Sequence, residues 1–373
     1  MGVHRQAGGV GREPVVTEKL LADVLKNSKN GIKMATFENQ IDYNSFSPRI
    51  AVVGLGGQGC NLVNRLYNSG ITSADTIAIN TDSNHLNIVH AHKKHLLGKA
   101  ITQGLGAGGY PEVAAKCVEM DKAEIEKLVE GYDLVFVCGG MGGGTGTGSA
   151  PGVARIAKEG GATVIATVTF PFALERSRAQ KAVWGIEQLN KHADTTIVIE
   201  NDLLLKYAPN LQIEKAFEVV DNVTLHAVKG ISDAIMIPSL INLDFADLRT
   251  VVSRTGTAVI SVGTGSGADR VERAIKDTRA HPLLTVDYEG AKGGFVHVSG
   301  GTSLSISDAT KIGNGVTEGL ADDANVIFGA RLAPEMGDTV RVMSCITGVK
   351  AKFFENKIKQ GPSMLQTDSL ENF

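Results

Sequence analysis
Residues 139–151 read Gly-Gly-Met-Gly-Gly-Gly-Thr-Gly-Thr-Gly-Ser-Ala-Pro, with seven glycines in thirteen positions. The stretch follows an apolar run, Leu134 to Cys138, that reads as a buried strand, and precedes Ser149 to Glu159, which reads as a helix. A flexible linker does not usually sit between a buried strand and a helix. Glycine lacks Cβ, so the backbone here is free to take positive φ and approach a ligand closely. Successive N–H groups beside a helix N-terminus form a concave anion site. Thr145 and Thr147 add hydroxyl donors, and the expected guest is a di- or triphosphate.

Two more glycine loops sit in comparable places. Ile50 to Val53 reads as a short strand, followed by Gly54-Leu55-Gly56-Gly57-Gln58-Gly59-Cys60-Asn61 and a helix through Tyr67. Gly54, Gly56 and Gly59 fit G-x-G-x-x-G, the dinucleotide-binding fingerprint. A second strand, Thr76 to Asn80, ends near Asp82, where a Rossmann enzyme would hold a ribose. An NAD-dependent dehydrogenase is therefore the alternative reading, although it leaves the loop at 139–148 unexplained. Gly104-Leu105-Gly106-Ala107-Gly108-Gly109-Tyr110-Pro111 is the third loop, and Pro111 suits the first position of a helix running to Glu130. Thr163 to Thr169 and Thr195 to Ile199 read as further strands. Strands alternating with helices imply a mostly parallel α/β sheet whose ligands sit at the carboxyl ends of the strands, where all these loops converge.

The bulk properties exclude several classes. A chain of 373 residues is long enough for two domains, and 43% apolar residues is ordinary for a globular protein. A net charge of −3 with mixed signs argues against a nucleic-acid partner. Cys60, Cys117, Cys138 and Cys345 are widely spaced, suggesting neither a zinc site nor a disulfide framework. His85, His90, His92 and His95 lack regular ligand spacing and read as solvated. No apolar run is long enough to span a membrane and no signal-peptide core is evident, so a cytoplasmic protein without membrane insertion is expected.

Beyond residue 200 the pattern changes. Apolar residues at 213, 217, 220, 223, 227, 231, 234 and 235 give helical spacing from Ile213 to Ile237, a helix of about 37 Å. Phe217 and Asp221 lie one turn apart on it. Phe217, read alone, serves core packing as well as any contact with a ligand. Asn242-Leu243-Asp244-Phe245-Ala246-Asp247 follows, with Asp244 and Asp247 on one face of a helical turn. Two such carboxylates near a phosphoanhydride can orient water or bind a cation, or simply favour the dipole of the helix they open. Strands are expected at 257–262, 295–298, 326–330 and 339–347, with helices at 269–280 and 307–320.

The loop at 139–151 resembles the tubulin signature of the FtsZ/tubulin superfamily, and Ile50 to Thr347 is similar to FtsZ-type cell-division GTPases of the archaeal kind. The resemblance implies a Rossmann-like GTPase domain at 49–212, a central helix at 213–237 and a second α+β domain at 238–350. It leaves residues 1–48 as a flexible extension and 351–373 as a disordered tail. The implied ligand is GTP or GDP with Mg2+ held mainly by the phosphates, and K+ as a candidate second cation. The implied nucleotide contacts begin with Gly57, Gln58, Gly59, Cys60 and Asn61 in the first loop and Asp82 in the second. They continue with Ala107, Gly108 and Gly109 near the γ-phosphate and Gly143, Gly144, Thr145, Gly146 and Thr147 in the signature itself. Glu175 would hold the ribose, with an arginine carried to Arg178, or Arg176, in a segment one residue short of the family's. Asn201, Phe217 and Asp221 would meet guanine. Tyr110 stands where the family usually has Asn. Asn242, Asp244 and Asp247 match the family's catalytic loop, which completes the site of the next subunit in a head-to-tail polymer. The same resemblance implies division-ring assembly at mid-cell, with membrane-anchor or division proteins as partners. A nucleotide-binding scaffold that neither polymerises nor hydrolyses is the remaining alternative.

Overall fold
The computed structural model describes residues 47–203, 213–237, 239, 241, 244–253, 256–280 and 288–349. Apolar runs bounded by glycine become strands buried along their whole length. β1 (Ile50–Leu55) leads directly into α1 (Gly56–Asn68), and β2 (Asp75–Asn80) into α2 (Ser83–Ile88), β3 (Lys93–Leu96) and the short α3 (Lys99–Thr102). The helix expected over 111–130 is two helices, α4 (Pro111–Met120) and α5 (Lys122–Val129). They part at Asp121, whose Oδ2 accepts the Gly98 N–H at 2.7 Å and meets His95 Nε2 at 3.0 Å. Next come β4 (Leu134–Gly140), α6 (Thr145–Glu159), β5 (Thr163–Phe170), α7 (Arg176–Leu189) and β6 (Thr195–Glu200). The long α8 (Ile213–Met236) precedes α9 (Phe245–Val252), β7 (Gly256–Gly265), α10 (Arg270–Ala280) and β8 (Gly293–Gly300). The series closes with α11 (Ile306–Thr317), β9 (Asn325–Leu332) and β10 (Val340–Thr347).

The strands form one ten-stranded sheet in the order β3-β2-β1-β4-β5-β6-β7-β10-β8-β9. Its first half is parallel, and β10 runs antiparallel to both neighbours. The chain reverses its winding between β1 and β4, which opens a crevice above their carboxyl ends. One face of the sheet is packed by α4 to α7 through residues such as Val118, Ile125, Val153 and Ile186. On the other face, α1, α8 and α9 share a core that runs from Val52 and Phe136 to Phe295 and Cys345. In β10, Val340 and Val342 face a third core with α10 and α11, whereas Met343 and Cys345 face the second. That switch follows the two-residue period of a strand.

Candidate functional site
Backbone contact builds the crevice. Gly56 has φ +67°, and a Cβ there would lie 2.9 Å from the Gly146 nitrogen, so the start of α1 touches the start of α6. A Cβ on Gly59 would lie 2.3 Å from the Cys138 carbonyl oxygen, which seats α1 on β4. At Gly57 and Gly143 a Cβ would meet nothing within 4 Å. α1 and α6 have no side-chain cap and no acidic residue in the first turn. By contrast, α2 is capped by Asp82 and α11 by a Ser305–Asp308 capping box. Two uncapped helix N-termini facing one crevice present unsatisfied N–H groups and positive dipole ends, the electrostatics an oligophosphate needs.

The third glycine loop closes over the signature loop. A Cβ on Gly144 would lie 2.9 Å from Tyr110 N and 3.0 Å from Ala107 Cβ. Lys181 of α7 braces the third loop by donating to the Gly109 carbonyl at 2.6 Å, its ammonium 5.6 Å from the Tyr110 ring centroid. Tyr110 thus has a side-chain role of its own in place of the expected asparagine. Three large apolar side chains stand exposed on these and neighbouring loops, Leu105 at 81%, Leu174 at 79% and Tyr110 at 58%.

Several expected ligands have other occupations. α6 begins at Thr145, four residues earlier than its sequence suggests. Thr147 is fully buried and its hydroxyl accepts the Gly142 N–H at 2.8 Å, so it supports the loop from inside instead of donating into the crevice. The Thr145 hydroxyl pairs with that of Thr81 at 2.7 Å, tying the second loop to the signature. Cys60 is likewise internal. Its thiol reaches the Gly54 and Ile79 carbonyls, and burial pushes it up to about 12, leaving only its backbone for a ligand. Asp82 accepts the Asn84 and His85 N–H groups. Glu175 accepts from Arg178 at 2.6 Å. The backbone of Arg178 lies against Gly142, where a Cβ would come within 2.7 Å of the Arg178 Cβ.

The base end is polar and partly unsatisfied. Gln58 Oε1 accepts the Thr169 hydroxyl at 2.7 Å, while Gln58 Nε2, Thr167 Oγ1 and Asn201 Oδ1 are buried without a hydrogen-bond partner. Gln58, Thr167 and Thr169 line a small cavity with Asp221 and Thr224 of α8. Asp221 is buried and its carboxylate meets Arg65 Nε at 3.2 Å. Orphaned polar atoms beside two open glycines fit a nucleotide in this crevice. The Phe217 side chain and Asn242 lie outside the described residues.

The acidic loop is elsewhere. Asp244 caps α9 through the Ala246 N–H at 3.1 Å, and Asp247 is exposed in its first turn. Ile241 bridges to Ala330 of β9, the sheet edge opposite β3. Six strand spacings separate β4 from β9, or about 29 Å at about 4.8 Å each. Three residues from Ile241 to Asp244 recover at most about 11 Å of that. The nucleotide crevice and the acidic loop of one chain therefore do not meet.

Arg65 and Lys181 escaped the sequence reading, and His85 entered it only as a solvated residue. The four histidines taken as solvated all have partners: His85 with Asn61 and Asn80, His90 with Asn64, His92 with Thr76 and His95 with Asp121. The position of His85, one turn after Asp82, was the available signal. Among the described residues no group of three or more His, Cys, Asp or Glu could hold a metal ion.

Residues 49–209 match the model of the Tubulin/FtsZ family GTPase domain, and residues 256–350 that of the FtsZ family C-terminal domain. The chain is 52% identical to cell division protein FtsZ 2 of Methanocaldococcus jannaschii over 306 residues, covering 81% of this chain and 80% of the relative. It is 50% identical to FtsZ 2 of Haloferax volcanii, covering 82% and 76%. Among solved structures, the empty FtsZ dimer of M. jannaschii superposes with a TM-score of 0.77 at 38% identity, over 88% of this chain and 92% of that one. The GDP-bound CetZ1 monomer of Haloferax volcanii, at 19% identity and a TM-score of 0.72, shares the fold, over 84% and 98%. The dehydrogenase alternative falls: the strand order is Rossmann-like, but residues 49–209, which include the signature loop, and residues 256–350 belong to another family. The chain belongs to the tubulin/FtsZ family, within its FtsZ branch.

Proposed function
We propose that the protein binds GTP in the crevice above β1 and β4 and hydrolyses it to GDP and phosphate in filaments of its own subunits, acting in cell division. The uncapped starts of α1 and α6, with the loop at Ala107, Gly108 and Gly109, take the phosphates through backbone N–H groups. Mg2+, with K+ as a second cation, would be held mainly by the phosphates and would offset the charge that develops on them, with Asp82 as the carboxylate the second loop would offer. Glu175 and Arg178 serve the ribose end. Asn201 and Asp221 read the base, with Phe217 against its face, and the carboxylate accepts from guanine N1 and N2. Asn242, Asp244 and Asp247 of the neighbouring subunit orient the attacking water, and a carboxylate takes its proton as the bond between the γ-phosphorus and the bridging oxygen breaks.

The single observation that carries this reading is the separation of about 29 Å between the crevice and the edge strand that anchors the acidic loop. Residues 49–212, with Phe217 and Asp221 of the helix over 213–237, supply the nucleotide half of the site and 238–350 the acidic half. A head-to-tail contact repeats without closing and makes filaments. It would also cover Leu105, Tyr110 and Leu174, which a monomer leaves in water. A relative at 38% identity was solved as a dimer. Division or membrane-anchor proteins at mid-cell are the further partners of a cytoplasmic protein of this kind. No described helix is long and apolar enough to cross a membrane.

The test is phosphate release from GTP, with ATP as control, against protein concentration. A threshold followed by a steep rise is expected. A specific activity independent of concentration would mean that one chain holds the whole site.

A further inference from the structure
Asn61 stands on the exposed first turns of α1, and an amide is ambiguous: it presents either an acceptor oxygen or two N–H donors. A chain of hydrogen bonds removes the ambiguity, starting from a group that cannot be flipped. The backbone N–H of Asp82 donates to Asn80 Oδ1 at 3.3 Å. Asn80 Nδ2 is therefore the end that faces His85 Nδ1, at 3.2 Å, and it must be the donor. A ring nitrogen that accepts carries no proton, so the neutral imidazole holds its hydrogen on Nε2. That nitrogen lies 3.0 Å from Asn61 Oδ1 and donates to it. The Asn61 oxygen is thereby turned toward His85, and its NH2 group is the end left for the crevice. His85 is fixed in turn, because its own N–H is bound by the capping carboxylate of Asp82 at 3.1 Å.

We infer that His85 is a positioning residue of the nucleotide site, holding Asn61 so that the crevice presents a hydrogen-bond donor to an acceptor oxygen of a guanosine nucleotide. The inference rests on the nucleotide reading above and deepens it. The chemistry complements Asp221 on the facing helix. One side of the base end offers N–H groups and the other a carboxylate. A guanosine nucleotide can meet the N–H groups with O6 of the base or with a ribose oxygen. Adenine carries an amino group where guanine has O6, and a fixed donor there repels it.

The experiment is calorimetric titration of the full chain with GDP, for the parent, Asn61→Ala, His85→Phe, His85→Gln and the double variant Asn61→Ala/His85→Phe. Asn61→Ala is expected to weaken binding about tenfold, and His85→Phe, which keeps the ring shape without its hydrogen bonds, by about threefold to tenfold. His85→Gln keeps an N–H donor toward Asn61 and stays within about twofold of the parent. The double variant binds no worse than Asn61→Ala alone, because the histidine acts only through the asparagine. Maximal GTP turnover at saturation is unchanged in His85→Phe, with the loss confined to affinity. Titration with 6-thio-GDP and with 2′-deoxy-GDP separates the two acceptors, since the His85→Phe effect disappears with the analogue that lacks the relevant oxygen. Nitrogen-15 NMR of the parent is expected to find the His85 proton on Nε2. A proton on Nδ1, or a His85→Phe variant that binds as the parent does while Asn61→Ala is weakened, overturns the inference. Unchanged binding in Asn61→Ala overturns instead the assignment of Asn61 to the nucleotide site, and the inference with it.

Discussion
Two glycines in the same turn of α1 should respond to alanine with opposite signs. Both positions are helical with ordinary φ, so each methyl brings up to about 1 kcal/mol of helix propensity. At Gly59 the new Cβ would sit 2.3 Å from the Cys138 carbonyl oxygen and 2.9 Å from the Gly54 carbonyl carbon. An ordinary carbon–oxygen contact needs about 3.4 Å, so α1 must lift by about 1 Å. Overpacking of this kind costs about 1–3 kcal/mol, and the upper end applies here because both obstacles are backbone of central strands. Gly59→Ala is therefore destabilised by about 2 kcal/mol net. At Gly57 the methyl meets nothing within 4 Å, and the variant without nucleotide should be as stable as the parent or up to about 1 kcal/mol more so. The same methyl points into the crevice and should weaken GDP about tenfold. GDP at a hundred times its parental dissociation constant stabilises the parent by about 2.7 kcal/mol, and should stabilise Gly57→Ala by only about 1.4 kcal/mol. Guanidinium unfolding with and without GDP reads both quantities. A Gly59→Ala variant as stable as the parent, or a Gly57→Ala variant destabilised without GDP, would refute the reasoning.

Four further outcomes are expected. Thr147→Val strands the buried Gly142 N–H and should cost about 1–3 kcal/mol in chemical unfolding, although the hydroxyl never touches the crevice. Asp221→Asn replaces one acceptor by a donor and should lower GTP affinity while raising that for XTP, whose C2 carries an oxygen; competition binding reads the ratio, and an unchanged ratio removes Asp221 from base selection. Burial, and then the charge of Arg331, push the His297 imidazole down to about 4 from 6.5 against the opposing pull of Asp233. The unfolded chain takes up the extra proton between those values, so stability is full above about pH 6.5 and falls toward pH 4 by up to about 3 kcal/mol. His297→Asn should flatten that part of the pH–stability curve, and an equally steep curve in the variant would assign the loss to other groups. Lys181→Ala should free the third glycine loop from α7 and lower affinity for GTP more than for GDP; an unchanged ratio of the two would leave the bond to Gly109 without a part in γ-phosphate binding.

The parts of the fold that were legible are those that depend on local pattern. β1, β4 and β5 are apolar runs with glycine at or near an end, and two glycine loops following strands, with a third before the helix that opens at Pro111, predict a crevice at the carboxyl ends of the strands. β3, Lys-Lys-His-Leu, carries no such pattern; it forms because β2 offers a free edge and Lys94 reaches the Leu86 carbonyl at 3.0 Å. The break at Asp121 was hidden for the same reason, since the Gly98 N–H that draws the carboxylate lies 23 residues away. In the site, backbone geometry was readable from glycine spacing. The props were not: His85 reaches Asn61 across 24 residues and Lys181 reaches Gly109 across 72. Thr147 shows the converse error, because a hydroxyl in a phosphate-type loop reads as a ligand until burial shows it turned inward.

The central claim, that the crevice of one subunit works with the acidic loop of the next, is tested most directly by mixing two inactive variants. Asp247→Ala keeps the crevice and lacks the carboxylate; Gly57→Leu keeps the carboxylate and fills the crevice from a position with open space around it. Neither should release phosphate from GTP alone. An equimolar mixture should recover turnover, because a crevice from the first can meet an acidic loop from the second. A mixture as silent as its components, with both variants folded and Asp247→Ala still binding GTP, would contradict the account.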